Sequence, residues 1–271
     1  MKKIAVGIAV LGAALLLGAC GNNSNKSSEE KVIKVASQTS PMTDVVKKAA
    51  EVAKKEGWDI QLVQVNDNIQ YNELLKNKEV DANFAQHEPF MEKFNEEKDA
   101  NLVMIQKIYD AKVGFYSKNY QDIADLPDGA TIALPNDVSN EGRALAILAD
   151  AGLIELKADA GFNGTLKDVV ENPHNFKWLS VDLLNLAEAY NEKDVAMVYD
   201  YPTYIAKIGL KPSDAILLEK KIDSRFAISL VAREDNQDSA KIKVLKKAMT
   251  SPEVHEFLEK EHQDTLIPSF D

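Results

Sequence analysis

The stretch LPNDVSNEGRALAILADAGL, Leu134 to Leu153, contains a change from β-strand to α-helix on which the interpretation of the whole chain depends. The strand occupies its leading apolar residues, and Asp137 is a favourable N-cap for the helix. Apolar residues between 144 and 151 then recur at helical spacing. The free N–H groups and the positive end of the helix dipole lie at the end of the strand, which is where open α/β sheets bind ligands. The stretch therefore predicts a binding site at the start of this helix.

Asn140 and Arg143 are the candidate binding residues of that helix. They are three positions apart, so they lie on one face of its first turns. The guanidinium of Arg143 can form two parallel hydrogen bonds with a carboxylate, and the amide of Asn140 can donate or accept another. The alternative is an ordinary surface arginine, solvated near a helix start.

A second candidate site lies in DANFAQHEPF, residues 81–90. The strand is expected to end near Ala85, and Pro89 fits the first turn of the next helix. Gln86 and His87 would then project from the carboxyl end of a strand, again a ligand position. The alternative for a lone histidine is a hydrogen-bonded structural role. The other histidines show no H-x-x-x-H or H-x-H spacing, so no metal site is predicted.

The third candidate is VAMVYDYPTY, residues 195–204, in which a strand presents Asp200 and Tyr201 at its end. Asp200 would pair with an ammonium group of a ligand, or it would instead be the N-cap of a helix that begins at Pro202. The chain has no G-x-S-x-G motif, Walker loop or G-x-G-x-x-G motif. The sequence therefore predicts a protein that is not an enzyme and has no cofactor.

Strand and helix patterns alternate along the rest of the chain, which is typical of an α/β fold. The predicted strands are 32–36, 58–65, 80–84, 102–108, 131–134, 176–181, 195–199 and 225–233, and the predicted helices are 45–53, 69–76, 89–97, 144–151, 183–190 and 242–249. We expect two α/β lobes with a ligand cleft between them. Residues 31–113 and 224–271 would form the first lobe, and residues 114–223 the second.

The N-terminus has the layout of a secretory signal, with a basic start followed by an apolar run from Ile4 to Leu17. This run is shorter than the roughly 20 residues that a membrane-spanning helix needs. Leu17-Gly18-Ala19-Cys20 resembles a bacterial lipobox, which predicts a signal peptide over residues 1–19 and lipidation of Cys20. Two acyl chains on one residue anchor a protein stably. The alternative is an ordinary secretory signal with an incidental cysteine.

Residues 21–30 are polar and without an aliphatic side chain, so they are expected to form a flexible tether. The protein would thus be held at the extracytoplasmic face of the cell membrane. The formal net charge of −11 argues against nucleic acid as a partner.

Four stretches together resemble the NlpA/MetQ family of substrate-binding lipoproteins, the methionine receptors of ABC importers. They are LPDGATIALPNDVSNEGRALAILADAGLIELK, DANFAQHEPF, TLKDVVENP and the terminal LIPSF. The resemblance runs from about Val32 to Phe270, and its most specific block is Pro135 to Leu145. It implies a periplasmic-binding-protein fold of type II-like architecture, a monomer, and delivery of an amino acid to an ABC permease with its ATPase.

The same resemblance assigns roles to site residues by position. Arg143 would hold the ligand carboxylate with help from Asn140, and His87 and Phe90 would line the cleft from the first lobe.

The sequence departs from the family pattern at several of these positions. Ala85 replaces an aromatic residue, Asn68 a tyrosine and Thr43 a histidine, while Ile228 and Asp200 or Tyr201 stand where the family has asparagines. An opened aromatic cage, together with an Asp200 that faces the cleft, predicts a receptor for an α-amino acid or a short peptide in which free methionine binds weakly. Two alternatives remain. One is an extracytoplasmic enzyme on the same two-lobed scaffold, for which His87 beside Glu88 is the only adjacent pair that could serve, and the other is a surface lipoprotein that acts through interaction alone.

Overall fold

We describe the protein from a computed structural model, which covers residues 31–263 and 265–271. The predicted signal peptide, Cys20 and the tether lie outside the described residues. None of the described helices has the length and apolar character that crossing a membrane requires.

The strands and helices follow the predicted alternation. The strands are β1 (Val32–Ser37), β2 (Asp59–Gln64), β3 (Ala82–Gln86), β4 (Leu102–Ala111), β5 (Gly114–Tyr116), β6 (Thr131–Pro135), β7 (Glu155–Leu156), β8 (Val169–Glu171), β9 (Lys177–Val181), β10 (Met197–Asp200), β11 (Leu217–Leu218), β12 (Ile228–Arg233) and β13 (Leu266–Pro268). The α-helices are α1 (Met42–Lys55), α2 (Gln70–Lys76), α3 (Glu88–Lys98), α4 (Val138–Asp150), α5 (Leu186–Ala189), α6 (Pro202–Ile205), α7 (Ala240–Met249) and α8 (Pro252–Glu261). Short 3-10 helices include Leu183–Asn185 and Ser224–Phe226.

The first sheet has six strands in the order β13-β4-β12-β3-β1-β2. β1 runs parallel to β2 and β3, whereas β12 is antiparallel to both β3 and β4. β1 is buried because its Ile33, Val35 and Ala36 are apolar and fully covered. One face of α1, which carries Val45 and Ala49, packs into the same core.

The second sheet has five strands in the order β11-β5-β10-β6-β9. β6 is parallel to β9 and β10, and β5 is antiparallel to β10 and β11. The chain passes from the first sheet to the second between β4 and β5, and returns between β11 and β12. A third, two-stranded sheet is formed by β7 and β8, which pair antiparallel. The α/β architecture with two main sheets is therefore confirmed. The predicted lobe boundaries fall within these two crossings, and we keep them as a proposal for the two lobes.

Two predicted elements differ from the structure because side-chain caps interrupt them. The carboxylate of Asp223 accepts from the N–H of Arg225 at 3.0 Å, so a 3-10 turn precedes β12 where the sequence predicts strand. The carboxylate of Asp182 accepts from the N–H of Leu184 at 2.9 Å, so the predicted helix 183–190 begins as a 3-10 turn and becomes α5.

Candidate ligand-binding site

A small cavity lies between the two sheets. The space in it that a water-sized sphere can reach is about 30 Å³, well below the roughly 300–1,000 Å³ of typical small-molecule sites. Residues from both sheets and their helices line it: Met42, Asn68, Tyr71, Ala85, Gln86, His87, Phe90, Tyr109, Ala111, Asn140, Leu183, Tyr201, Thr203, Tyr204 and Ile228. The lining is mostly aromatic and aliphatic, with amide and hydroxyl groups interspersed.

Most of the predicted binding residues meet at this cavity. Asn68, Ala85, Gln86, His87, Phe90, Asn140 and Tyr201 all line it, whereas Arg143 and Asp200 do not belong to its wall. Sequence reasoning missed Tyr71, Tyr109, Thr203 and Tyr204. Tyr109 lies within the long strand β4. Thr203 and Tyr204 follow the end of β10, where sequence reasoning selected Asp200.

His87 is held in place as a neutral side chain. It is the N-cap of α3, where its Nδ1 accepts from the N–H of Phe90 at 3.2 Å, and its Nε2 lies 3.1 Å from Oδ1 of Asn140. With Nδ1 as acceptor, Nε2 carries the proton and donates to Asn140. Burial lowers the pKa of His87 to about 4, and the positive charge of Arg143 acts in the same direction. The hydrogen bond to Asn140 opposes this shift only in part.

Asn140 is fully engaged by its neighbours. Its amide nitrogen donates to both carboxylate oxygens of Asp137, the N-cap of α4, at 3.0 Å each. Its Oδ1 accepts from His87 and, at 2.8 Å, from the hydroxyl of Tyr201. Asn140 therefore lines the cavity from the start of this helix, but its polar atoms bind protein groups.

Arg143 is completely buried behind the cavity wall and already has a carboxylate partner. Its Nε and Nη2 donate to the two carboxylate oxygens of Glu219 at 3.0 and 2.6 Å. Nη2 also donates to the carbonyl of Ala111, and Nη1 donates to the hydroxyl of Tyr201, each at 3.1 Å. The two-pronged bond that was expected for a ligand carboxylate is therefore made to Glu219, and one Nη1 hydrogen is left without a partner among the described residues.

This ion pair also joins the two crossings between the sheets. Ala111 ends β4 just before the first crossing, and Glu219 begins the second. The N–H of Glu219 donates to the carbonyl of Val113 at 3.0 Å, which holds the two crossings side by side. Arg143 thus fastens the helix that carries Asn140 to the connection between the sheets.

Asp200 lies outside the cavity, so the structure does not provide the predicted contact with a ligand ammonium group. Successive residues of a strand point to opposite faces, and Tyr201 takes the cavity side. Oδ1 of Asp200 accepts from the N–H of Tyr201 at 2.8 Å, while Oδ2 has no partner within the described part of the chain. Burial raises the pKa of Asp200 well above its ordinary value. The N-cap of α6 is Tyr201, so Asp200 does not have that alternative role either.

Replacing Asp200 by asparagine is expected to stabilise the protein at neutral pH. Because burial raises the pKa of Asp200 above its unfolded value of 3.8, the stability that its protonated form contributes is fully present below that value and is lost as pH rises through the folded pKa. Asparagine keeps the acceptor for Tyr201 and cannot ionise. We expect Asp200→Asn to raise the free energy of unfolding by about 1 kcal/mol or more at about pH 8, and by less at about pH 5. Urea unfolding at both pH values measures this, and equal effects at both would contradict it.

Direct hydrogen bonds close the cavity between the two sheets. The hydroxyl of Tyr204 donates to Oε1 of Gln38 at 3.0 Å, and Nε2 of Gln38 donates to Oδ1 of Asn68 at the same distance. The bond between Tyr204 and Gln38 and the contact between His87 and Asn140 join the two sides of the cavity, whereas the bond between Gln38 and Asn68 lies within the first side. No cluster of three or more potential metal ligands occurs within residues 31–263 and 265–271.

Two main sheets, each packed with helices, are joined by two crossings, and residues from both sides line one cavity. This arrangement is that of a two-lobed substrate-binding protein. The chain belongs to the NlpA lipoprotein family, whose model matches residues 33–270, and the predicted resemblance is confirmed.

Named relatives agree with this assignment. The chain is 36% identical to the methionine-binding lipoprotein MetQ of Bacillus subtilis over 99% of both chains. It is similar to the structure of a YaeC-family lipoprotein from Enterococcus faecalis, with 52% identity, a TM-score of 0.80 and coverage of 89% of this chain and 100% of the other. A nutrient-binding protein from Burkholderia cenocepacia, solved bound to methionine, is 36% identical with a TM-score of 0.83 over 88% of this chain and 100% of the other.

Proposed function

We propose that this protein is an extracytoplasmic receptor that binds an amino acid between its lobes and delivers it to an ABC permease with its ATPase. Cys20 would carry the lipid anchor that holds it at the cell membrane, and the receptor would act as a monomer without enzymatic activity or cofactor. The observation that carries the proposal is the aromatic cavity between the sheets, in a chain whose relatives include methionine-binding lipoproteins.

The charge of the cavity supports a ligand with an uncharged side chain. Among the described residues that line it, none is Asp, Glu, Lys or Arg. His87 is neutral at physiological pH because its pKa is lowered to about 4. Burying an unpaired charge in such surroundings is costly, so a lysine, arginine, aspartate or glutamate side chain is disfavoured. The wall therefore lacks the carboxylate that Asp200 was expected to offer to a ligand ammonium group, and methionine, the family's ordinary ligand, agrees with the apolar lining.

The carboxylate of the amino acid would be bound through Arg143. One Nη1 hydrogen is available to it beside the hydroxyl of Tyr201, which accepts from the same nitrogen at 3.1 Å. Further donors would become available to it if the ion pair with Glu219 opened. Since ligand contacts from both lobes form together only in the closed state, binding would shift the population towards the form that a permease recognises.

A different amino acid or a short peptide is the second candidate ligand, and the wall at Ala85 favours it. Ala85 and Ile228 both line the cavity, at positions where the sequence departs from the family pattern. A methyl group in place of an aromatic ring leaves volume that a longer ligand can occupy, and loses about 0.5–1.5 kcal/mol of ring contact.

A thermal-shift screen of the detergent-solubilised full-length protein against amino acids and dipeptides tests both candidates. A ligand at a hundred times its dissociation constant stabilises by about 2.7 kcal/mol. We expect a shift with L-methionine or with a dipeptide that contains an apolar residue. The Ala85→Phe variant separates the two, because it fills the wall and should abolish the dipeptide shift while it preserves that of methionine. No shift with any amino acid or dipeptide would contradict the proposal and favour the interaction lipoprotein.

A further inference from the structure

Tyr109 presents a buried hydroxyl that no protein group satisfies. Its side chain lines the cavity and is only 1% exposed. Its hydroxyl oxygen has no hydrogen-bond partner within the described part of the chain. Native proteins pair nearly all buried polar groups, so an unpaired hydroxyl at a cavity wall calls for a partner from outside the protein.

The sheet places this hydroxyl at the cavity, opposite a residue that offers it no hydrogen bond. In the ladder between β4 and β12, Tyr109 lies directly opposite Ile228, so both side chains are on the same face. Ile228 also lines the cavity but offers neither a donor nor an acceptor. The ring of Tyr109 packs edge-on against Phe84, with the ring centroids 5.8 Å apart, which holds its orientation.

Several other polar groups of the wall already have protein partners. Asn140 is bound to His87 and Tyr201, Gln86 accepts from Asn72 at 2.8 Å, and Tyr204 donates to Gln38. The hydroxyl of Tyr109 differs from these groups because it keeps its hydrogen-bonding capacity for the cavity.

We propose that the Tyr109 hydroxyl is a ligand-binding group that donates a hydrogen bond to a carboxylate or carbonyl oxygen of the bound solute. This inference rests on the proposed function, since it requires a solute in the cavity. Burial raises the pKa of Tyr109 well above its ordinary value, so the hydroxyl keeps its proton at physiological pH and acts as a donor. A carboxylate and an amide carbonyl share the same acceptor chemistry, and analogues of one ligand distinguish them.

The test compares wild type with Tyr109→Phe by calorimetric titration of the full-length protein with L-methionine and L-methioninamide. The substitution removes one oxygen and keeps the ring, so folding is preserved. A hydrogen bond of ordinary strength makes the variant bind about tenfold more weakly. The loss occurs with both ligands if a carbonyl oxygen is bound, and is larger with L-methionine if the ionised carboxylate is bound.

Tyr116→Phe is the matched control. Tyr116 is also fully buried with an unpaired hydroxyl, but it lies on β5 and outside the cavity wall. Both variants lose an unsatisfied buried hydroxyl, and only Tyr109→Phe should lose affinity. Equal binding by wild type and Tyr109→Phe would overturn the inference and leave the proposed function intact. If wild type binds neither L-methionine nor any other amino acid or dipeptide of the screen, the proposed function fails and this inference fails with it.

Discussion

Replacing Glu219 by glutamine should lower the free energy of unfolding by about 3–5 kcal/mol, because it removes one partner of a buried ion pair and leaves the other charged. Arg143 is 0% exposed and Glu219 is 3% exposed, and their closest atoms are 2.6 Å apart. Burial acts to lower the pKa of Arg143, but Tyr201, Tyr199 and Glu219 outweigh it and raise the pKa above its ordinary value. The guanidinium therefore stays charged in the variant. Chemical unfolding followed by circular dichroism measures the loss.

An exposed ion pair provides the matched control. Glu253 accepts from Lys55 at 2.9 Å, with side chains that are 45% and 67% exposed. Solvent screens such a pair, so Glu253→Gln should leave the free energy of unfolding almost unchanged. Equal effects of Glu219→Gln and Glu253→Gln would mean that the buried pair is not formed in solution.

The variant also separates the structural role of Arg143 from the ligand-binding role that we propose for it. In the wild type its two-pronged bond goes to Glu219, which competes with a ligand carboxylate for the same donors. In Glu219→Gln the guanidinium lacks a counter-ion, so a ligand carboxylate should stabilise the variant more than it stabilises the wild type. Replacing both residues by apolar ones, Arg143→Met with Glu219→Leu, should recover much of the stability and abolish the ligand-induced shift. A ligand shift that survives in the double variant would show that Arg143 does not bind the carboxylate.

Local patterns in the sequence were sufficient to place much of the site. Strand ends followed by capping residues put His87 and Asn140 at the carboxyl ends of β3 and β6, and these ends meet at the cavity. The contact between their side chains did not follow from that placement, because β3 and β6 belong to different sheets and the contact depends on how the two sheets face each other.

Some features of the site could not be predicted from the sequence. They depend on contacts between residues far apart in the chain and on the face of a strand to which each side chain points. Glu219 follows Arg143 by 76 residues and lies in a connection without any periodic pattern, so nothing local links the two. Asp200 was assigned to the wrong side of the wall because a shift of one residue along a strand reverses the face to which a side chain points. Tyr109 lies near the carboxyl end of β4, beside the equally buried Ile108, and nothing in the local pattern marks it as facing a cavity.

The stability of the protein should fall more steeply between pH 7 and pH 4 than carboxylate titration alone explains, and His87 is the reason. Its pKa is lowered from 6.5 to about 4. A base whose pKa is lower in the folded than in the unfolded state contributes stability that is fully present above the unfolded-state pKa. That stability is lost as pH falls through the folded-state pKa. The shift corresponds to about 3 kcal/mol at most, at about 1.4 kcal/mol per pH unit.

His87→Asn isolates this contribution. Asparagine is a good N-cap for α3, so the helix start is retained, while the titrating ring and its bond to Asn140 are removed. We expect the variant to be less stable than wild type at neutral pH and to lose less stability on acidification, so that the two curves of unfolding free energy against pH converge towards pH 4.

The same titration reports on whether the cavity is closed without ligand. The groups that face His87 are Asn140, the ring of Phe90 and the ring of Phe226, which lies 5.1 Å away, with Arg143 and Asp137 as the nearby charges. Asn140 and both charges belong to the second sheet or its helix, so the lowered pKa requires the two lobes to be together. If the lobes are open in the free protein, water reaches the imidazole and its pKa returns towards 6.5. Parallel curves for wild type and His87→Asn without ligand, which converge only when ligand is added, would therefore mean that ligand binding closes the cleft.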